Sequence, residues 1–380
     1  MKIAQVSSEY FPAIGGVGQV VRELAERQVR LGHEVHVFTT DWDKYKRVKI
    51  RHEVINGVHV HRCFHIARIS AFATIWPEIF TKLLRGKFDI IHSHVFGHVH
   101  FILSALVAKA RNIPHIHTTH CPWTDAHRSF FGRIGVFASY NLFSRIALKM
   151  TQKVIAITPW EINFIKKYGG SDDQIVVIPN GMDEAFFKKI ENNSFKKDHG
   201  IKDKLVLFFG RLNVTKGPDK FVEIAKSILK KRSDVTFVMC GPDEGMKDTV
   251  KKFIGKEKRI ILLDPIIGNR PKVIGMYQAA DVFVLPSFRE GLPLTLFEAM
   301  ASGPPIVASP VNGIPYEMKD PENGFLVPYG KNNIFVERII QFLDNPELSR
   351  KVSLNNIKKA KNYQWGTICD RTLEIYKKSS

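Results

Sequence analysis

The sequence predicts an α/β protein built from two doubly wound domains of the Rossmann type. Three observations predict this fold class. The chain has 380 residues, enough for two domains that each bury a sizeable hydrophobic core. Short apolar runs of strand length alternate with helix-length segments in both halves, as in parallel sheets covered by helices. In each half, a glycine-containing turn joins the first strand to the first helix, where such folds bind ligands.

The predicted domain boundaries follow from the same alternation. Strands and helices alternate over residues 1–182, the predicted first domain, which closes with Pro179-Asn-Gly-Met-Asp183. The polar and charged segment 183–200 is the predicted linker. Residues 201–362 resume the alternation and form the predicted second domain, and an amphipathic helix is expected within 363–380.

The net charge points to the kind of partner. A formal charge of +19 suggests an anionic partner, such as a nucleic acid, a membrane surface or a phosphate-bearing substrate. No tract combines basic and aromatic residues in a recognised nucleic-acid-binding module. A nucleic-acid-binding protein is therefore the weaker interpretation.

Cysteine usage and hydropathy bear on the cellular location. The four cysteines are far apart and form neither a CxxC pair nor a disulfide framework, which indicates a reducing compartment. The sequence begins with a predicted strand rather than a signal peptide, and no run approaches about 18 consecutive apolar residues. We therefore expect a cytoplasmic protein that at most contacts the cytoplasmic face of a membrane peripherally.

Two features of the first domain suggest a ligand site. Gly15-Gly16-Val17-Gly18 lies between the first strand and the first helix, where glycines allow close approach and the helix N-terminus favours an anion. Its spacing is not the GxGxxG of dinucleotide-binding proteins. His120 ends the predicted strand 113–120, and a side chain at that end of a strand faces the ligand crevice. Asp125 is a second candidate without an assigned role.

Two other patterns in the first domain resemble metal sites, but their context is poor. Asp41-Trp-Asp43 has the Asp-x-Asp form that can hold a divalent metal, yet it follows the second strand beside a lysine-rich loop. His92 and His94 share one face of a predicted strand, whereas His98 and His100 begin a helix. We therefore expect no metal site.

The first strand-to-helix turn of the second domain carries two cations. It reads Gly210-Arg-Leu-Asn-Val-Thr-Lys-Gly217 and follows the apolar run 205–209. Arg211 directly follows the predicted strand, and Lys216 precedes the predicted helix. Two fixed cations with flanking glycines at such a turn suit a diphosphate.

A second motif in this domain follows the apolar run 282–285, a predicted buried strand. Glu290 lies in the next loop, and Pro293 suits the first turn of a helix that carries Glu298 about two turns in. Carboxylates accept hydrogen bonds from hydroxyls, and amides without intrahelical partners donate them, so the loop suits a polyhydroxylated ligand. The donating amides are predicted to be those of Gly291 and Leu292.

Taken together, these motifs resemble the retaining glycosyltransferases of family 4, which have the GT-B fold. The glycine turn, the strand-end histidine, the Gly-Arg…Lys-Gly turn, the Glu-x7-Glu pair and Asn312-Gly313 occur in the family's order across nearly the whole chain. The resemblance implies two Rossmann-like domains with the active site in the cleft between them. It also implies that the last helix crosses back onto the first domain.

The resemblance implies a role for each motif. The glycine turn approaches the donor phosphates, the two cations bind the diphosphate, and the histidine lies close to the transferred sugar. The first glutamate orients the sugar hydroxyls, the second binds the ribose, and the loop after the predicted strand 260–263 holds the nucleobase. The residues implied near the reacting groups are His120, Arg211, Lys216 and Glu290, with Gly15, Gly16, Gly18, Ile266, Gly291, Leu292 and Glu298 as further donor-binding residues.

The implied function is transfer of a hexose from a UDP- or GDP-linked sugar with retention of configuration. The base stays open because the loop reads Asp264-Pro-Ile-Ile267 where the family more often has glycine. Two fixed cations at the leaving group make a metal unnecessary, and no cofactor is expected, because the nucleotide sugar is a substrate. A nucleotide-sugar epimerase or a phosphorylase of the same fold is the alternative. A catalytically silent relative should have lost Glu290 or Arg211, and both are present.

The sequence leaves the acceptor open between a soluble sugar and a membrane lipid such as phosphatidylinositol. The segment 62–87 has apolar residues at helical spacing, several cations and a single glutamate. A basic amphipathic helix of this kind packs either on its own domain or on an anionic membrane. Reversible contact with an anionic membrane would serve an enzyme with a lipid acceptor. The linkage position and the oligomeric state are not predicted.

Overall fold

The computed structural model describes residues 1–13, 15–43, 46–68, 74–123 and 130–379. The chain divides into two compact units. The first unit comprises Met1–Asn180 and Trp365–Ser380, and the second comprises Gly181–Gln364. Asp125, a candidate from the sequence, lies outside the described residues.

The first unit has ten described strands, and those at its centre are parallel. The ten are β1 (Lys2–Val6), β2 (Glu34–Thr40), β3 (His52–Ile55), β4 (Val58–Cys63), β5 (Ala67–Arg68), β6 (Thr74–Ile75), β7 (Ile90–His94), β8 (His115–Thr118), β9 (Lys153–Ala156) and β10 (Ile175–Val177). In the described residues, eight of them form one sheet in the order β10-β9-β8-β7-β1-β2-β4-β3, while β5 and β6 pair separately. The neighbours in the large sheet are parallel except β3 and β4. The central strands are buried, as expected for a sheet covered on both faces.

Helices connect these strands. They are α1 (Gly16–Arg30), α2 (Glu78–Arg85), α3 (Val99–Arg111), α4 (Phe130–Ala138), α5 (Arg145–Lys149), α6 (Ile162–Lys167) and the C-terminal helix (Trp365–Ser379). A π-helical segment, Ser139–Ser144, joins α4 to α5, so that 130–149 is one continuous helical rod. The C-terminal helix contributes to the first unit although it is the last element of the chain.

The prediction of helical spacing throughout 62–87 is wrong. The described part of this segment holds the end of β4, the strands β5 and β6, and one helix, α2. Trp76, Ile79 and Leu83 are at most 1% exposed and pack in the core of the first unit. Pro77 lies at the N-cap of α2, where a proline does not interrupt the helix. This apolar face therefore belongs to the core and is not available to a membrane.

The second unit has its own parallel sheet. Its strands are β11 (Lys204–Phe209), β12 (Val235–Cys240), β13 (Ile260–Leu263), β14 (Val282–Leu285), β15 (Ile306–Ala308) and β16 (Phe325–Leu326). They are ordered β13-β12-β11-β14-β15-β16, and each neighbouring pair is parallel. The doubly wound α/β architecture predicted from the sequence is thus confirmed in both units.

The helices of the second unit surround this sheet. They are α7 (Phe195–Asp198), α8 (Pro218–Leu229), α9 (Lys247–Ile254), α10 (Arg270–Ala279), α11 (Leu294–Ser302), α12 (Ile314–Glu317), α13 (Asn332–Asp344) and α14 (Pro346–Ala360). Residues 183–200, for which the composition predicts a linker, lie within this unit. The Asn193 side-chain amide donates to the Gly275 carbonyl at 2.8 Å, and Lys196 pairs with Asp281 at 2.9 Å. Across the described ranges, no helix is long and apolar enough to cross a lipid bilayer.

Candidate active site

The turn after β11 brings two predicted site residues together. Lys216 ends a short 3₁₀ segment whose first turn is capped by Asn213, the side chain of which accepts from the Lys216 amide at 3.2 Å. The Lys216 ammonium donates to both carboxylate oxygens of Glu290, at 2.7 and 2.6 Å. Lys216 is 9% exposed and Glu290 is 5% exposed. The lysine predicted for the diphosphate and the glutamate predicted for the sugar therefore form one buried ion pair.

Glu290 is held by further hydrogen bonds. The Ser287 hydroxyl donates to Glu290 Oε1 at 2.7 Å, and the Asn312 side-chain amide donates to the Glu290 carbonyl oxygen. An ionised carboxylate offers about four lone-pair positions. Lys216 and Ser287 together use three of them, which leaves room to accept one more hydrogen bond, for example from a sugar hydroxyl.

A glycine fixes how closely these loops approach. Gly217 has φ +65°, the left-handed region, and a Cβ at this position would lie 2.1 Å from the Pro286 carbonyl oxygen. The backbone of the Arg211–Lys216 turn therefore touches the backbone at the end of β14. This contact is what places Lys216 against Glu290, since only glycine fits both the conformation and the space.

Arg211 is held by an acidic residue that the sequence analysis missed. Its guanidinium Nη1 donates to Glu244 Oε2 at 2.9 Å and to Oε1 at 3.1 Å, and the Asn213 side-chain amide donates to the same carboxylate at 2.9 Å. Glu244 follows β12 in the Gly241-Pro-Asp loop, with no motif to mark it. Both predicted diphosphate-binding cations thus have carboxylate partners in this structure.

Glu298 lies on α11 in a different environment. It is half-buried, and the Tyr277 hydroxyl donates to its Oε2 at 2.9 Å. Burial raises the pKa of Glu298 to about 7, although the tyrosine hydrogen bond and the nearby charge of Arg270 oppose the rise. The predicted ribose-binding carboxylate therefore titrates near neutral pH.

The raised pKa of Glu298 predicts how the stability of the chain depends on pH. Glu298→Gln is expected to stabilise the chain at pH about 8, by up to about 3 kcal/mol, and to change little at pH about 4. The folded-state pKa of about 7 exceeds the ordinary value of 4.5. Between these two pH values the folded chain binds more protons than the unfolded chain, so its stability falls as pH rises through this range. Urea unfolding of both proteins at the two pH values measures this. A variant less stable than the wild type at the higher pH would contradict the assignment.

The remaining predicted donor residues of the second unit lie in the same loops. The Gly313 amide donates to the Gly291 carbonyl at 3.2 Å, and Leu292 is buried at 3% exposure, just before α11. Ile266 lies in the loop after β13 and lines an open pocket of about 840 Å³. These positions form the carboxyl edge of the second sheet, where doubly wound folds bind their ligands.

The three glycines of the first unit's turn have different surroundings. Gly15 directly precedes α1, and a Cβ there would lie 1.8 Å from Glu9 Oε2 and displace that carboxylate. A Cβ at Gly16 would meet nothing within 4 Å. A Cβ at Gly18 would lie 3.4 Å from the backbone of Glu9, which is an ordinary van der Waals distance. Gly15 therefore serves internal packing, whereas the space beside Gly16 is open to a ligand.

His120 lies just after β8 in an unusual backbone conformation. Both His120 and Cys121 have positive φ angles, +60° and +53°. Glu161 accepts from the Cys121 amide at 2.7 Å, from the Trp123 indole at 2.8 Å and from the Ile157 amide at 2.7 Å. Left-handed backbone at non-glycine residues persists only where the surroundings enforce it, and the buried Glu161 supplies that restraint. The sequence analysis missed Glu161, because it lies forty positions from Cys121 and no local pattern connects the two.

The two aspartates of Asp41-Trp-Asp43 have partners within the first unit. Asp41 pairs with Arg47 at 2.6 Å and with His65 at 2.5 Å, and Asp43 accepts from the Lys46 amide at 2.8 Å. Among the residues that the structure describes, no group of three or more histidine, cysteine, aspartate or glutamate side chains could hold a metal ion.

Two sequence families match the chain in succession. Glycosyltransferase Family 4 matches residues 14–186, and Glycosyl transferases group 1 matches residues 189–359. An uncharacterized glycosyltransferase of Methanocaldococcus jannaschii is 30% identical over 402 residues, which cover 99% of this chain and 98% of that protein. The UDP-Gal:alpha-D-GlcNAc-diphosphoundecaprenol alpha-1,3-galactosyltransferase of Escherichia coli is 30% identical over 298 residues, 76% of this chain and 74% of that protein.

The fold has close counterparts among solved structures. HepE of Anabaena in complex with UDP superimposes with a TM-score of 0.79 at 19% identity, covering 100% of both chains. A second structure of the same protein, in complex with UDP-glucose, gives a TM-score of 0.77 at 18% identity. The likeness therefore extends over both units of the chain.

Proposed function

The chain belongs to the glycosyl transferases group 1, with the GT-B fold, and from this premise we propose that it transfers a hexose from a UDP-linked sugar to a lipid-carried acceptor with retention of configuration. The observation that carries the proposal is the buried Lys216–Glu290 pair, in which the cation proposed to bind the diphosphate contacts the carboxylate proposed to bind the sugar. Uridine is proposed because the E. coli relative is named for a UDP sugar and HepE was solved with UDP.

The chemistry follows from where charge develops. The bond from the anomeric carbon to the diphosphate oxygen breaks, and negative charge grows on the leaving diphosphate. Arg211 and Lys216 stabilise that charge electrostatically, as donors aimed at an oxyanion do. The acceptor hydroxyl forms the new bond on the same face of the sugar, and its proton goes to the leaving phosphate. Glu290 and Glu298 orient the sugar and ribose hydroxyls.

A donor panel tests this function. Purified protein is incubated with UDP- and GDP-linked hexoses, with and without lipid extract, and release of nucleoside diphosphate is measured. We expect release from a UDP sugar, stimulated by the extract, and an α-linked product from an α-linked donor. Formation of a sugar 1-phosphate from a glycan and inorganic phosphate, without any nucleotide sugar, would favour a phosphorylase instead.

The same assay tests metal independence. Transfer is expected to survive EDTA, because Arg211 and Lys216 supply the positive charge that a metal would otherwise bring to the diphosphate. The matched control adds excess Mg²⁺ to the EDTA-treated enzyme. Activity lost in the chelator and restored by Mg²⁺ or Mn²⁺ would show that a metal takes part.

The lipid-carried acceptor is supported by a surface of the first unit different from the one considered in the sequence. The helical rod 130–149 contains no acidic residue and exposes large apolar side chains between residues 134 and 146. The most exposed is Phe137, at 69%. Isolated exposed apolar side chains are ordinary, but a row of them on one helix marks an interaction surface. The others are Ile134, Leu142, Phe143 and Ile146.

This apolar row leads to a basic pocket. Lys149, at the end of the rod, also lines an open pocket of about 1050 Å³ in the first unit. Asp89, the acidic residue among the lining residues, accepts from the Lys2 amide at 2.7 Å. Apolar side chains beside basic ones match the interior and the headgroups of an anionic membrane. The basic side chains of the pocket are Lys87, Lys109, Arg111, Lys149 and Lys377.

Vesicle co-sedimentation tests this surface. The wild type is expected to bind phosphatidylglycerol vesicles at low salt and to be released at high salt, because headgroup attraction decays over the Debye length. Phe137→Ser with Phe143→Ser should abolish binding. The matched control is Leu354→Ser, which changes an exposed leucine of the second unit. Equally poor binding of the wild type to anionic and neutral vesicles at low salt would leave a soluble acceptor as the better proposal.

A further inference from the structure

A chain of buried polar side chains leads to His120 inside the first unit. His94 Nδ1 lies 3.0 Å from His120 Nε2, and His94 Nε2 lies 2.8 Å from the Gln5 side-chain oxygen. The Gln5 side-chain amide donates to Gln28 Oε1 at 3.0 Å and to the Tyr376 hydroxyl at 3.1 Å. His94, Gln5 and Gln28 are fully buried. The family comparison assigns no role to these residues, which come from β1, α1, β7 and the C-terminal helix.

In this series of hydrogen bonds, the role of each atom as donor or acceptor fixes the role of the next. The Gln5 side-chain oxygen can only accept, so His94 must carry its proton on Nε2. Burial lowers the pKa of His94 well below its ordinary value, so the ring is neutral and its Nδ1 is a bare acceptor. His120 Nε2 must then donate to His94 Nδ1. Burial lowers the pKa of His120 to about 3, so this ring is neutral too.

The branch through Tyr376 is consistent with the same orientation of Gln5. Tyr376 accepts from the Gln5 amide, and its hydroxyl donates to His92 Nδ1 at 2.6 Å. His92 then carries its proton on Nε2, which donates to the Thr118 hydroxyl oxygen at 2.8 Å. Burial raises the pKa of Tyr376, so its hydroxyl keeps the proton that it donates. One arrangement of protons satisfies all the hydrogen bonds named on both branches.

We propose that Gln5 and His94 are positioning residues that fix His120 as the tautomer protonated on Nε2, leaving Nδ1 as an acceptor for a hydroxyl of the bound sugar. In the described residues, His120 Nδ1 has no hydrogen-bond partner of its own. The tautomer is a property of the ligand-free chain. The hydroxyl partner rests on the proposed function, because it requires a sugar beside His120.

The two tautomers of His120 would bind different groups of a sugar. An acceptor nitrogen forms a hydrogen bond with a sugar hydroxyl, which can donate. It forms none with a group that cannot donate, such as a fluorine in the same place. The opposite tautomer would present an N–H, which would donate to a fluorine or a carbonyl oxygen instead. A flipped Gln5 amide would reverse the proton on each ring of the chain, so the orientation of one buried amide sets the selectivity of His120.

The first experiment reads the tautomer directly. Protein labelled with ¹⁵N at histidine is studied without ligand by long-range ¹H–¹⁵N correlation, which distinguishes a protonated ring nitrogen from a bare one. The His120→Gln variant identifies the His120 signals by their loss. We expect a proton on Nε2 and a bare Nδ1 at neutral pH. A proton on Nδ1 overturns the proposal, whatever the donor of the enzyme proves to be.

The second experiment tests the positioning role with matched variants. His94→Leu removes the acceptor for His120, whereas His92→Leu removes a neighbouring imidazole of the same strand that does not contact His120. His94→Leu should give a mixture of His120 tautomers and lower UDP release from UDP-glucose roughly tenfold, the scale of one lost hydrogen bond of about 1.4 kcal/mol. His92→Leu should leave the His120 tautomer unchanged.

A conservative variant separates positioning from folding. His94→Asn can place an amide oxygen where Nδ1 stood, so it should restore the tautomer and most of the lost turnover. If His94→Leu leaves His120 on Nε2, the positioning role is wrong even though the tautomer is right. If wild-type protein does not release UDP from UDP-glucose, the proposed donor is wrong, while the spectroscopic result still decides the tautomer.

Discussion

Lys216→Ala is expected to lower turnover by roughly 10²–10³-fold at saturating donor, the scale for losing one donor to a developing oxyanion. The reason lies in its position in the β11 turn, where the ammonium contacts the carboxylate of Glu290 at 2.6 Å. Steady-state release of nucleoside diphosphate measures the effect. The matched control is Lys220→Ala, a nearby lysine whose partner is Glu223 on the exposed side of α8. Turnover close to that of the wild type in Lys216→Ala would show that the diphosphate binds elsewhere.

The buried pair also adds a stability effect that must be separated from catalysis. Removing Lys216 leaves Glu290 buried without its partner, which typically costs about 3–5 kcal/mol. A double-mutant cycle with Glu290→Gln separates the terms, since the double variant contains no uncompensated charge. We expect the double variant to recover much of the stability lost in Lys216→Ala but none of the turnover. Recovery of turnover as well would mean that the lysine acts only by neutralising Glu290.

Glu161→Ala is expected to destabilise the first unit by about 3 kcal/mol or more, since each buried donor left unpaired costs about 1–3 kcal/mol. Three N–H groups lose their acceptor together, on Cys121, Trp123 and Ile157. The left-handed turn at His120 and Cys121 should relax, so turnover should fall as well. Urea unfolding and nucleoside diphosphate release measure the two effects.

Two variants sharpen the test of Glu161. Glu161→Gln keeps one acceptor oxygen and should retain part of the stability, whereas Glu184→Ala removes an exposed glutamate and should change little. Burial raises the pKa of Glu161, opposed by the hydrogen bonds that it accepts. If Glu161→Ala unfolds at the same urea concentration as the wild type, the carboxylate does not hold the His120 turn.

The sequence was most informative where a strand is buried on both faces. The predicted strands at 260–263 and 282–285 coincide with β13 and β14. Continuous valine, isoleucine and leucine of that length, bounded by glycine, proline or polar residues, fit few other structures. The segment 62–87 shows the opposite case. Its apolar spacing suited a single helix, but in the described residues α2 covers only Glu78–Arg85 and carries the buried Ile79 and Leu83, while β5 and β6 precede it.

Local sequence patterns could not predict the contacts that hold the candidate site together. Arg211 meets Glu244 from the next strand's loop, and Lys216 meets Glu290 seventy-four positions later. Such partners depend on the order of strands in the sheet, because turns at neighbouring strand ends converge regardless of their separation in sequence. The motifs located Arg211, Lys216 and Glu290, whereas Glu244 needed the folded chain. The donor roles of these residues stay predictions until the assays above are done.

The split composition of the first unit has a consequence for synthesis. Residues 1–180 are synthesised before residues 181–364, yet the helix Trp365–Ser379 that belongs with them is synthesised after both. Domains generally fold as units while the chain emerges, and here the first unit lacks one helix until residues 181–364 have been made. The second unit can therefore fold before the first is complete. Until that helix emerges Gln5 has no Tyr376 to bind, so the hydrogen-bonded chain beneath His120 forms only after the second unit has been synthesised.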